Sequence, residues 1–269
     1  MFLVAFVSKK DVLRLNSVET NLITLGVMNI IGNKGAMILK FNLYERTFLF
    51  LNSHLVAGAW KGTQRCDMMS DALKGISNQK PADRFEPDAA ADYCILTGDM
   101  NMRFKARFSD FIEFVDFAKE NMSSYDELYE QRHERGRFPG YHEEPIDFMP
   151  TYKRHAFNNE IYINKNEQCP SFTDRIIFKQ NEKSARVTFN EYQCRDDIFG
   201  SDHRPVFLDF SIKLTPEVVM CPRLLRDPET PNQGSGRITV TSFKLAWETK
   251  QLDIIKRKLQ MPFFVQLQF

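Results

Sequence analysis

Four polar clusters stand at the ends of apolar runs and carry the residue types that acid–base and phosphate chemistry requires. "TFLFLNSHL" (47–55) closes on Asn52 and His54, and "DYCILTGDMN" (92–101) closes on Asp99 and Asn101. "SFTDRIIFK" (171–179) opens on Asp174 and Arg175, and "SDHRPVFLDFSI" (201–212) opens on Asp202 and His203. An Asp can take a proton from water, and a neighbouring amide such as Asn101 can orient the base or a phosphate. A His held by a second carboxylate stays protonated and stabilises charge building on phosphorus. A divalent cation on carboxylates would polarise phosphoryl oxygens and the leaving group. Together such a set could hydrolyse a phosphate ester. Mg²⁺ suits an oxygen-ligand site, and no Cys/His cluster in the sequence suggests zinc.

Taken singly, each residue has an ordinary structural reading. Asp99 could cap the chain after a strand, and His54 could be a satisfied, half-buried histidine. The joint pattern shifts the balance, because enzymes built on sheets aim reacting groups from rigid strand ends. Asp202 and His203 are adjacent on an extended chain, so their side chains point to opposite faces. Two further stretches could meet anions. "GNKGA" (32–36) presents Lys34 on a turn, but it lacks the G-K-[ST] ending of a nucleotide loop. "PTYKR" (150–154) sets Tyr152, Lys153 and Arg154 together.

The elements that must position these groups read as short strands over 2–7, 36–43, 47–55, 92–99, 174–179, 185–192 and 204–212. "TFLFLN" and "YCILT" are nearly continuous in apolar character, as strands covered on both faces should be. Helical spacing predicts helices over 62–77 and 107–120, the second with a core-facing stripe from Phe108 to Ala118. The stretch 132–170 carries Pro139, Pro145, Pro150 and Pro170 and reads as a long loop, of a length that is usually functional or disordered. Residues 214–237 read as a linker, and "ITVTSFKLAW" opens a further β segment over 238–269, too short to bury a core of its own.

The 36 Lys+Arg and 35 Asp+Glu leave a net charge of +1, which argues against a dedicated nucleic-acid binder. The five dispersed cysteines suit reduced thiols in an intracellular protein. "MFLVAFVSKK" is too short to span a bilayer, and its basic residues follow the apolar run, unlike a signal peptide.

In order and spacing, "GNKGA", "NSHL", "TGDMN", "FMPTYK", "PSFTDR" and "SDHRPV" resemble the catalytic domain of the inositol polyphosphate 5-phosphatases, from about Gly26 to Phe210. The resemblance implies an α+β fold, the four-layer αββα sandwich of two packed mixed sheets shared with deoxyribonuclease I. It implies Mg²⁺-dependent removal of the 5-phosphate from phosphoinositides or soluble inositol phosphates, with peripheral membrane contact from the cytoplasm. On it, Asp99 would activate water with Asn101 as its partner. His203, held by Asp174, and His54, beside Asn52, would face the phosphate. Asp202 would lie on the metal side, and Tyr152 and Lys153 would grip the 4-phosphate. Lys34, Arg65 and Arg175 would make phosphate or structural contacts. Phe172 stands where the family usually has Trp. The family's leading strands, with a metal-proximal Asn and the main Glu ligand, find no counterpart, so residues 1–213 are expected to be that domain without its first strands. An inactive phosphoinositide binder is the alternative, and a nuclease of the same fold is disfavoured by the charge balance and by PTYK.

Overall fold

The computed structural model describes residues 2–25, 34–75, 91–107, 122–163, 168–213, 236–240 and 263–268. Two five-stranded mixed sheets pack face to face. One runs β2 (Leu15–Thr24), β3 (Gly35–Leu43), β4 (Arg46–His54), β5 (Tyr93–Asp99) and β8 (Asp174–Gln180) in that spatial order. The other runs β1 (Leu3–Val7), β12 (Phe263–Gln268), β11 (Gly236–Val240), β10 (Val206–Ile212) and β9 (Val187–Cys194). A small hairpin, β6 (Arg154–His155) with β7 (Asn158–Tyr162), stands apart. This is the deoxyribonuclease I-like architecture the motifs implied, with few helices among the described residues.

The alternation of side chains along a strand explains the two cores. Phe48 and Phe50 of β4 face the space between the sheets, where they meet Phe41, Tyr93, Phe178 and Phe210. Leu49 and Leu51 face the other way, onto Cys66, Met69 and Ala72 of helix α1 (Gly62–Lys74). Both faces of β4 are therefore covered, which is why its sequence reads as one apolar run. The predicted helix over 62–77 is α1, and the strand expectations fall on β1, β3, β4, β5, β8, β9 and β10. β2 carried no such signal. It is a sheet edge whose side chains are nearly all exposed, so no apolar face marks it.

Gly236–Val240 pairs antiparallel with β10. Of the expected linker 214–237, residues 214–235 lie outside the described residues, as do 241–262 of the C-terminal segment and all but one residue of the helix expected over 107–120.

Candidate active site

Strand register does most of the positioning. β4 and β5 run parallel and end with His54 opposite Asp99. β8 runs antiparallel to β5 and begins with Asp174 opposite the same Asp99. Three side chains named from the sequence thus share one sheet end. Their close approach depends on Gly98, at φ +124°, where a Cβ would sit 2.1 Å from the Ser53 carbonyl oxygen. Only glycine fits there without moving β4 and β5 apart.

The chain then turns sharply at Asn101, at φ +53°, a left-handed conformation that Asn tolerates better than most residues. The turn brings the Asn101 backbone N–H to Asp99 Oδ1 at 3.0 Å and its Nδ2 to Asp99 Oδ2, also at 3.0 Å. His54 Nε2 lies 3.3 Å from Asp99 Oδ2 and contacts the Lys34 ammonium. Gly32 and Asn33 of the "GNKGA" turn lie outside the described residues.

His203 arrives from the second sheet on the segment before β10. Its Nδ1 lies 2.9 Å from Asp174 Oδ2, which also accepts from Thr151 Oγ1 at 2.6 Å and Thr173 Oγ1 at 2.8 Å. One carboxylate oxygen taking three such contacts is locked in place. The Tyr152 ring lies against the imidazole, with centroids 4.5 Å apart. Ligand atoms of Asp99, Asp174 and His203 lie within 4.8 Å of one another.

The electrostatics divide the two carboxylates. Burial pushes Asp99 up to about 6, aided by Asp174 and opposed by His203. Burial would also raise Asp174, but the His203 charge and the three contacts outweigh it and hold the group below its ordinary value. Burial alone would lower His203, yet Asp174 chiefly, then Asp99 and Asp202, raise it to about 9. Separated values of this kind suit a proton acceptor beside a charged donor. Because the folded value lies above the ordinary 6.5, the contribution of His203 to stability is complete below pH 6.5 and is lost as pH rises through about 9. In the metal-free protein, NMR should show this ring titrating near pH 9, and Asp174→Asn should return it towards 6.5. A wild-type midpoint at or below 6.5 would contradict the pairing.

The remaining candidates divide by burial. Lys153 lies near the Tyr152 ring, 5.3 Å from its centroid, and its ammonium pairs with Asp202. Asp202 therefore faces Lys153 and lies outside the Asp99–Asp174–His203 cluster, because its neighbour His203 takes the inward direction. Asn52 is buried beneath His54, donating from Nδ2 to the Phe2 carbonyl at 3.0 Å while its Oδ1 has no hydrogen-bond partner. Arg65 and Arg175 are fully buried and structural. Arg65 pairs with Glu127 and donates to the carbonyls of Val56 and Gly58. Arg175 makes a bidentate pair with Glu143 through Nε and Nη2, both at 2.8 Å, and shares Nη1 between the two oxygens of Asp126 at 2.9 and 2.8 Å. Neither guanidinium is placed to meet a substrate.

Sequence reasoning missed Thr151 and Arg103. Arg103 Nη2 donates to Asn101 Oδ1 at 2.6 Å, and its guanidinium lies over the Tyr152 ring, 4.7 Å from the centroid. It joins the Asp99 side of the site to the Tyr152 side. Its place two residues after Asn101, in "GDMNMR", was the available signal.

A metal fits the donor chemistry. Two of the three clustered groups are carboxylates, and the buried Asn52 Oδ1 is an oxygen without a hydrogen-bond partner. A mostly oxygen set suits a hard divalent cation better than zinc.

The profile of Endonuclease/Exonuclease/phosphatase family 2 matches residues 1–209. Phosphatidylinositol 3,4,5-trisphosphate 5-phosphatase 2B of Danio rerio is 30% identical over 231 residues, 81% of this chain and 19% of the relative. Phosphatidylinositol 3,4,5-trisphosphate 5-phosphatase 2 of Mus musculus is 28% identical over 215 residues, 77% of this chain and 17% of the relative. The chain therefore spans about a fifth of the length of these curated relatives. Among solved structures, the inositol polyphosphate 5-phosphatase domain of SPsynaptojanin, in complex with inositol (1,4)-bisphosphate and calcium ion, is similar. Its TM-score is 0.63 at 26% identity, over 74% of this chain and 56% of that one. Cimex nitrophorin, at TM-score 0.57 and 21% identity over 77% and 68% of the two chains, shares the fold alone. That likeness makes the site, and not the fold, the ground for any assignment of function.

Proposed function

The chain belongs to endonuclease/exonuclease/phosphatase family 2, and from that premise we propose that it is a Mg²⁺-dependent phosphomonoesterase. The substrate class is a phosphoinositide such as phosphatidylinositol 4,5-bisphosphate, or a soluble inositol polyphosphate, and the group removed is the 5-phosphate. Peripheral contact with a membrane from the cytoplasm belongs to the same proposal. Among the described residues, no helix is long and apolar enough to cross a membrane.

One observation carries the reading: Asp99, held by Asn101, and the Asp174–His203 pair bring their ligand atoms within 4.8 Å of one another, so that they can act on one phosphoryl group. Asp99, fixed by both Asn101 N–H groups, accepts a proton from the attacking water. His203, held at Nδ1 by Asp174, turns its other ring nitrogen to the phosphoryl oxygen and stabilises its charge. The Lys34 ammonium, in contact with His54, adds positive charge beside Asp99. Tyr152, whose ring lies against His203, and Lys153 hold a neighbouring ring phosphate. Asn52 Oδ1, which has no hydrogen-bond partner, and Asp202, paired here with Lys153, are the oxygens that would hold the cation, which leaves Asp99 as the proton acceptor. Mg²⁺, when bound, polarises the phosphoryl oxygens and the leaving group.

The test is phosphate release from short-chain phosphatidylinositol 4,5-bisphosphate with Mg²⁺ and with EDTA. Release in Mg²⁺ that EDTA abolishes is the expected result. Release indifferent to EDTA would overturn the metal dependence. Saturable binding without release, in a folded protein, would favour an inactive phosphoinositide binder.

A further inference from the structure

The two turns that leave β4 and β5 are tied to each other. The Leu55 N–H donates to the Asp99 carbonyl at 3.0 Å, and Asn101 Nδ2 donates to the Leu55 carbonyl at 3.0 Å. Arg65, from α1, donates from Nε to the Val56 carbonyl at 2.8 Å and from Nη2 to the Gly58 carbonyl. Glu127 joins them from a distant segment of the chain. Backbone pairing of Phe104 with Asp126 brings it there, and its N–H donates to the Arg103 carbonyl at 3.0 Å.

Glu127 is 1% exposed, and a single oxygen makes both of its side-chain contacts. Oε2 accepts from the Arg103 backbone N–H at 2.9 Å and from Arg65 Nη1. Arg103 in turn donates from Nη2 to Asn101 Oδ1 at 2.6 Å. The contacts close a ring through Leu55, Asn101, Arg103, Glu127, Arg65 and Val56, whose last member adjoins its first. Within it the Asn101 amide has both ends engaged, which fixes the one orientation that turns Nδ2 to Asp99 Oδ2. A left-handed residue such as Asn101, at φ +53°, keeps that conformation only where its surroundings fix it.

We propose that Glu127 is a positioning residue for the reaction: the placement of its Oε2, and not its charge, fixes the turn that aims Asn101 and Asp99. The role rests on the phosphatase reading above. The plain alternative is that Glu127 only supplies the counter-charge for the buried Arg65. The two roles ask different things of the side chain. Positioning needs an acceptor oxygen at the full length of the side chain, whereas neutralisation needs a negative charge. Oε1 has no hydrogen-bond partner, so an amide nitrogen can stand in its place without breaking a contact.

Glu127→Gln and Glu127→Asp separate the two roles. Gln keeps an oxygen where Oε2 lies and loses the charge. Asp keeps the charge but is one methylene too short to reach Arg103 and Arg65 together. The first measurement is made on the full chain without substrate, by NMR after ¹⁵N-asparagine labelling. Exchange of the Asn101 side-chain amide protons with water should be slow in wild type and Glu127→Gln, and several-fold faster in Glu127→Asp. With Mg²⁺ and inositol 1,4,5-trisphosphate, Glu127→Asp should lower kcat by about 10- to 100-fold, with KM little changed, while Glu127→Gln keeps most of kcat. Thermal unfolding should rank the variants the other way, because Gln leaves the Arg65 charge buried without its partner. Exchange in Glu127→Asp as slow as in Glu127→Gln, or slower, overturns Glu127 as the holder of the turn. Faster exchange in Glu127→Asp, with kcat equal to or above that of Glu127→Gln, overturns its role in the reaction. Exchange is read without turnover, so an inert wild-type protein would count against the phosphatase reading and not against the hold of Glu127 on the turn.

Discussion

Replacing Asp99 with Asn is expected to lower phosphate release by about 10²- to 10⁴-fold, the range for removing a positioned general base. The substitution keeps the shape of the side chain and its place opposite His54 and Asp174. It removes the proton acceptor and the charge that faces His54 and His203. KM should change little, because Tyr152 and Lys153 are untouched. His203→Gln should cost a similar factor by removing the charged donor. The double variant should lose much less than the product of the two, since both groups act on one transition state. Single-turnover and steady-state assays on the purified variants check this. An Asp99→Asn protein within about tenfold of wild type would remove Asp99 from the mechanism.

The largest effect on stability is expected at Arg175. Its guanidinium is 1% exposed, grips Glu143 through Nε and Nη2, and donates from Nη1 to both oxygens of Asp126. Those carboxylates come from distant segments. Asp126 also accepts from the Tyr129 backbone N–H at 2.9 Å, and Glu143 meets Arg132 at 3.4 Å. The two acids hold the Arg175 guanidinium well above its ordinary value against the opposing effect of burial. Arg175→Met leaves two buried carboxylates without their main counter-charge, and breaking such a network costs about 3–5 kcal/mol. For a domain of this size that corresponds to a fall in Tm on the order of 10 °C. Arg175→Lys should recover only part of the loss, because one ammonium cannot reproduce both the fork on Glu143 and the Nη1 contact with Asp126. Thermal and urea unfolding measure both. A loss under about 1 kcal/mol for Arg175→Met would show that the network contributes little.

The parts of the fold legible in the sequence are those where burial leaves a continuous or alternating apolar trace. β4 and β5 are covered on both faces, and their polar ends stand out for that reason. Asp99, Asn101, Asp174 and His203 were readable as a set because each sits at such an end. The likeness to solved and curated inositol phosphatases bears out the family resemblance carried by those ends. β2 was illegible because its exposed, edge position imposes no pattern. The hairpin β6–β7 was hidden inside a proline-bearing stretch, its strands too short for periodicity. The structural duty of Arg65 and Arg175 could not be read, since it depends on Glu127, Asp126 and Glu143, which only the fold brings near. A cation near a motif looks the same in sequence whether it meets a phosphate or a buried carboxylate. Arg103 was overlooked for a related reason: its link to Tyr152 crosses 49 residues and arises from the pairing of Tyr152 with Ser171 beside it.

The central claim concerns which bond is broken. Inositol 1,4,5-trisphosphate incubated with the protein and Mg²⁺, followed by ³¹P NMR, resolves each ring phosphate separately. Loss of the 5-phosphate resonance alone, with inositol 1,4-bisphosphate as the product and no loss in the Asp99→Asn protein, is the predicted result. Loss from the 1- or 4-position, or no loss from a folded and metal-loaded protein, would contradict it.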